Sequence, residues 1–121
     1  MRLFALRGAT TVQQNDAQQI LDATTELMQE ILMRNALAPE DAVSCIFTLT
    51  EDLDAQFPAV AARAVGFSEV PLLCAREIPV AGAMPRVIRV LMHYHAPEEH
   101  TPEHVYLRDA QALRADLSSA Q

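Results

Sequence analysis

Ala42-Val43-Ser44-Cys45-Ile46-Phe47-Thr48-Leu49 decides the reading of this 121-residue chain. The run is rich in β-formers and apolar at nearly every position, which predicts a strand buried on both faces. Something must then cover each face. Just upstream, Asn15 or Asp16 can cap a helix in which Ile20, Leu21, Leu27, Met28, Ile31 and Leu32 recur at helical spacing. Asp22, Glu26, Gln29 and Glu30 give this helix, over residues 16–35, a wet side, so it covers one face of a sheet. The other face is left to be closed against further copies of the chain, which predicts an oligomer.

Outward from this pair the remaining elements are short. Leu3-Phe4-Ala5-Leu6-Arg7 reads as a first strand stopped by Gly8. After the central strand comes an acidic turn, Glu51-Asp52-Leu53-Asp54, and then a short helix opened by Phe57-Pro58 and closed near Val65 by Gly66. A third strand is expected from Val70 to Ala75, a loop at Ile78–Gly82, a fourth strand from Arg86 to His95 and a fifth from His104 to Leu107. Asp109 to Gln121 looks like a fraying turn or short helix. The order β-α-β-α-β-β-β predicts an α+β fold, a mixed β-sheet covered by one long helix, in a single domain over 1–121.

Composition narrows the function. Sixteen acidic against nine basic residues give a net charge of −7, which speaks against a nucleic-acid partner. No apolar run approaches the roughly 20 residues of a membrane span, and the N-terminus breaks at Arg7-Gly8, too early for a signal peptide. Cys45 and Cys74 each sit in an apolar run and read as buried, reduced thiols of a cytoplasmic protein. All nine basic residues are arginine, so lysine chemistry is excluded and any anion is held by planar guanidinium groups.

Few residues are placed for chemistry. Arg89 stands in Val87-Ile88-Arg89-Val90-Leu91 with apolar neighbours on both sides, a costly position unless a carboxylate meets it. That carboxylate is either Glu77 of this chain or one on a bound anion. Arg7, beside Gly8, is a second anion candidate or else a solvated strand end. Cys74 reads as a structural thiol or as half of a Cys-His pair, and His93 and His95, on one strand face, as an ordinary pair or a weak metal pair. With only three glycines, neither a dinucleotide fingerprint nor a phosphate loop can be built, and no Gly-x-Ser-x-Gly occurs.

Arg7-Gly8-Ala9-Thr10-Thr11-Val12, Thr50-Glu51-Asp52-Leu53, Phe57-Pro58-Ala59, Val70-Pro71, Cys74, Glu77, Ile88-Arg89-Val90, His104-Val105-Tyr106-Leu107 and Leu113-Arg114 form an ordered set over nearly the whole chain. In this set the chain resembles the AroH class of chorismate mutases, the trimeric Bacillus type. The resemblance implies a pseudo-α/β-barrel homotrimer with sites between subunits, and rearrangement of chorismate to prephenate in phenylalanine and tyrosine biosynthesis without cofactor or metal. It implies Arg89 as the cation at the ether oxygen, Arg7 and Tyr106 on the enolpyruvyl carboxylate, and Glu77 with Cys74 on the ring hydroxyl. Phe57, Ala59, Leu72, Leu73 and Leu113 would form an apolar wall, with Arg63 and Arg114 at the mouth. It further implies that the set from Phe57 to Cys74 and the set Arg7, Glu77, Arg89 and Tyr106 come from neighbouring subunits.

The chain departs from the pattern at Val60, where many relatives carry lysine, and at Leu73, where some carry threonine. Two other readings compete. A Rid-type imine deaminase shares the trimeric architecture but should show a glutamate-bearing strand after a Pro-Ala-Arg segment, whereas Met84-Pro85-Arg86 leads into Val87-Ile88-Arg89. A non-enzymatic trimeric sensor or partner protein would bind without turnover.

Overall fold

In a computed structural model, residues 1–114 are described. The Ala42–Leu49 run forms strand β2 with the expected bounds, and it lies in a five-stranded mixed sheet. The other strands are β1 (Arg2–Thr11), β3 (Leu72–Arg76), β4 (Val87–Ala96) and β5 (Val105–Tyr106), in the spatial order β3-β2-β4-β1-β5. β4 runs antiparallel to both β2 and β1, while β3 and β5 are parallel edge strands on β2 and β1.

Helix α1 (Ala17–Arg34) lies across one face. Asp16 caps it by accepting a hydrogen bond from the Gln19 backbone N–H, which satisfies one of the donors a helix start leaves open. Ile20, Ala23, Thr24, Leu27, Met28 and Ile31 are its buried stripe. Leu27, Met28 and Ile31 meet Leu6, Cys45, Phe47, Val90, Met92 and Tyr94 from the sheet. Burial pushes the Cys45 thiol up to about 12, so it stays protonated in the core. Short helix α2 (Pro58–Ala62) opens with proline in its first turn and runs into a wider turn, Arg63–Phe67. That turn ends through Gly66 at φ +113, a conformation that favours glycine. Among the described residues no helix is long and apolar enough to cross a membrane.

Four expectations change. Gly8 does not stop the first strand: β1 continues to Thr11, paired with β4 throughout. Glycine is needed at this position for another reason, since a Cβ there would stand 2.9 Å from Ile31 Cδ1 and 3.2 Å from Leu27 Cδ1. α1 therefore packs close to the β1 backbone. Secondly, β2 is buried on one face only within a single chain: Cys45 and Phe47 are covered, whereas Ser44, Ile46 and Thr48 remain half-buried. Cys74, expected to be buried, is also half-buried, because β3 is an edge strand. Lastly, the fifth strand is only two residues long, and His104 bonds through its side chain instead. The expected C-terminal turn begins at Arg108–Ala110 and continues over residues 111–114, and the rest of that expectation lies outside the described residues.

Candidate active site

The register of the sheet sorts the candidate residues by face, because cross-strand partners project to the same side. Ala75, Thr48, Arg89, Ala9 and Tyr106 form one row across the side away from α1, and Leu73, Ile46, Leu91 and Arg7 form the next. Cys74, Phe47, Val90, Gly8 and Val105 form a row on the helix side. The open face holds a cleft of about 290 Å³ lined by Arg7, Gly8, Ala9, Ile46, Thr48, Arg89, Val90, Leu91 and Tyr106.

Arg89 meets Glu77, as its apolar setting requires. Its Nε donates to Glu77 Oε2 at 2.7 Å, with the Arg89 side chain 38% and the Glu77 side chain 17% exposed. Glu77 is brought within reach because the β3–β2 pairing is extended by the Glu77 N–H donating to the Leu49 carbonyl at 2.9 Å. Thr48 Oγ1 donates to the same carboxylate oxygen at 2.8 Å. The carboxylate is thus oriented from two strands. Among the described residues the ion pair engages Nε alone, so the terminal amino groups of Arg89 are not consumed by Glu77.

Arg7 is half-buried in β1, and Tyr106 is only 7% exposed in β5. The segment that carries Tyr106 is tied along β1 by Leu107 N–H donating to the Ala9 carbonyl and Asp109 N–H donating to Thr11 Oγ1. Leu113 packs, half-buried, beside Ala9, Val87, Tyr106 and Ala110. At the other end of the cleft row, the Arg7 backbone N–H donates to His104 Nδ1 at 2.9 Å. Burial, and then the guanidinium groups of Arg7 and Arg114, hold His104 below its ordinary value of 6.5. Arg114 itself is exposed.

The remaining candidates lie elsewhere in the chain. Phe57 stands exposed at the start of α2, Arg63 is exposed at its end, and α2 packs against β3. Leu72 and Cys74 are half-buried against the main core. Leu73, on the opposite side of the same strand, is 61% exposed. Ala59, in the first turn of α2, is 5% exposed within one chain and packs in the main core. Within one chain, then, Arg7, Thr48, Glu77, Arg89 and Tyr106 come together, while Cys74 does not join Glu77. His93 and His95 share the open face as expected. Among the described residues no group of three or more His, Cys, Asp or Glu side chains could hold a metal ion.

Sequence reasoning missed Thr48 and undervalued His104. The signal for Thr48 was its place in β2, one residue from buried Phe47 and therefore on the other face, across from Arg89. His104 gave no local signal, because its partner is 97 positions away.

The family described as chorismate mutase type I matches residues 3–117. The chain belongs to this family. A chorismate mutase AroH from Thermus thermophilus is 49% identical over 119 residues, which span 96% of this chain and 97% of the relative. The AroH chorismate mutase of Bacillus subtilis (strain 168) is 39% identical over 121 residues, spanning 98% and 94%. A solved chorismate mutase from Clostridium thermocellum superposes with a TM-score of 0.86 at 44% identity, covering 90% of this chain and 98% of that one. This membership accounts for the ordered motif set and leaves the imine-deaminase and sensor readings without support.

Proposed function

We propose that this chorismate mutase isomerises chorismate to prephenate in the open-face cleft, with Arg89 as the residue that lowers the barrier. The step is intramolecular: a C–O bond breaks, a C–C bond forms, and atoms and electrons balance without a nucleophile or co-reactant. C–O cleavage runs ahead of C–C formation, so negative charge builds on the ether oxygen. A fixed cation at that oxygen stabilises the transition state more than the substrate. The observation that carries this reading is the held geometry of Arg89, fixed through Nε by Glu77, which Thr48 orients in turn. Little reorganisation is then needed as the charge develops.

Arg7 and Tyr106 line the same cleft and are suited to hold the enolpyruvyl carboxylate, which keeps the substrate in its folded, reactive conformer. Glu77 also serves as acceptor for the ring hydroxyl.

The site is completed by a neighbouring copy in a pseudo-barrel homotrimer. Exposed Leu73 and half-exposed Leu91 on the face that α1 does not cover support this assembly, as does the placement of Cys74 away from Glu77 within one chain. The neighbour brings Phe57, Arg63, Leu72, Leu73 and Cys74 to the cleft, and Leu113 extends the apolar wall. Arg63 and Arg114 stand at the mouth and draw a dianion toward a protein of net charge −7. Val60, where many relatives carry lysine, leaves this entrance with less positive charge. The place of work is the cytoplasm.

Loss of chorismate absorbance with purified protein in EDTA, followed by identification of prephenate, tests the reaction. Absence of prephenate overturns it. Light scattering tests the assembly, and a folded, fully active monomer at micromolar concentration overturns the shared site.

A further inference from the structure

The Arg7 guanidinium is anchored by a strand whose pairing runs out just where it is needed. β5 pairs with β1 at Gly8–Val105 and Ala9–Tyr106 and ends there. One residue further back, the Arg7 N–H would be left open at the sheet edge, and an unpaired backbone donor beside a half-buried cleft is costly. His104 Nδ1 takes that N–H at 2.9 Å. A backbone N–H can only donate, so Nδ1 must be the unprotonated ring nitrogen and the imidazole must be neutral.

His104 is itself held from the other side. Buried Asn35, at the end of α1, accepts from the Glu103 N–H at 2.8 Å and donates through Nδ2 to the Glu103 carbonyl at 3.0 Å. The residue before His104 is therefore fixed to α1, while His104 reaches across to β1. The connection runs from α1 through Asn35, Glu103 and His104 to the backbone of Arg7, and Tyr106 lies two residues further along.

We propose that neutral His104 is a positioning residue for the mutase reaction, which sets the Arg7 backbone against the segment carrying Tyr106 through the acceptor Nδ1. The inference rests on the reading of Arg7 and Tyr106 as carboxylate holders. It assigns His104 no contact with substrate. The charged groups that face the imidazole are Arg7 on β1 and Arg114 on the C-terminal turn, and both oppose its protonation, as does burial. Protonation would set an Nδ1–H against the Arg7 N–H and break the connection. Because these groups keep the ring neutral, the acid-side fall of wild-type kcat/KM has its midpoint below 6.5, the ordinary histidine value.

The same carboxylate is present in substrate and transition state, so loosening its holder weakens both alike and appears in KM more than in kcat. Two variants isolate the acceptor. His104→Asn keeps an acceptor on the same Cγ-attached position, and His104→Ala removes it. KM for chorismate is expected to rise about three- to tenfold in H104A and to stay near wild type in H104N, with kcat changed less than threefold in both, as for one neutral hydrogen bond. The acid-side rise in KM should be absent from H104N, whose acceptor does not titrate. The proposal is overturned if the two variants share one KM, if kcat falls as far as KM rises, or if both merely melt earlier with unchanged kinetics. A wild-type inflection at or above pH 6.5 overturns it without any variant. Wild-type protein that does not convert chorismate refutes the reading of the cleft instead, a distinct result.

Discussion

Phe47 and Val90 are cross-strand neighbours buried against α1, whereas Thr48 and Arg89, one residue along the same two strands, stand half-exposed on the other face. The backbone ladder is common to both pairs, so strand geometry does not distinguish them. The difference lies in what covers each face. On the helix side, 18 residues of α1 exclude water and select apolar shapes. On the open side the C-terminal turn covers only the Ala9–Tyr106 end of the row, while Thr48 and Arg89 stay half-exposed, and the polar groups there answer to each other. One face holds the fold together while the other is free to carry charge. Substitutions should therefore separate cleanly, into melting temperature on one side and turnover on the other.

The sharpest way to break this separation is Phe47→Ala on the covered face. Removal of this fully buried ring is expected to cost about 3–5 kcal/mol of stability, with kcat per folded molecule retained. Denaturant titration beside active-site titration checks it, and a variant of normal stability but low kcat would erase the distinction. Next comes Arg89→Ala on the open face, expected to lose about a hundredfold or more in kcat while melting near the wild-type temperature. Arg89→Lys keeps the charge but loses the planar donor set and should not restore full activity. Replacement of Arg89 by its neutral isostere citrulline should cost kcat heavily with a smaller change in KM. If the Arg89–Glu77 pair merely held the fold, the melting point and activity would fall together.

A third test lies on the boundary between the faces. Gly8 is in the cleft-lining strand, yet its missing Cβ is a requirement of the helix side. Gly8→Ala should cost about 1–3 kcal/mol of stability through overpacking against Ile31 and Leu27. Calorimetry and KM measured together show whether the shift of β1 reaches Arg7. The smallest effect concerns the cysteines. With its thiol pushed up to about 12, Cys45 should resist alkylation at pH 8 until the protein unfolds, whereas half-buried Cys74 reacts first, as mass spectrometry of the labelled peptides would show.

Much of the covered face was legible from residues alone, because periodicity reports which side of an element meets apolar company. The bounds of β2 and the stripe of α1 follow from that local pattern, which also narrows the cap to Asn15 or Asp16, of which Asp16 caps. The Arg89–Glu77 pair was legible for a related reason, since a guanidinium among apolar neighbours demands a carboxylate. Gly8 was misread as a strand stop because nothing local shows that Ile31 and Leu27 come so near its backbone. Asn35 reads from sequence as the end of a helix, which is half its work: it also holds Glu103, 68 positions away. Thr48 and His104 belong to the same class. Their partners are chosen by strand order, which no short window contains.

The strand order has a consequence for how the chain comes into being. β1 lies between β4 and β5, so the first strand to be synthesised finds its hydrogen-bonding partners only in the last two. As the chain emerges from the ribosome, β2 and β3 can pair early, but β1 must wait with both edges open until residues beyond 87 appear. Non-local pairing of this kind slows folding and leaves a strand available to other chains in the interval. Arg7, which emerges among the first residues, is set by His104, which emerges among the last. The cleft is therefore completed late, and a nascent chain cut short before residue 104 would carry nearly all the core and the Thr48–Glu77–Arg89 cluster, but neither Tyr106 nor the side chain that accepts the Arg7 N–H.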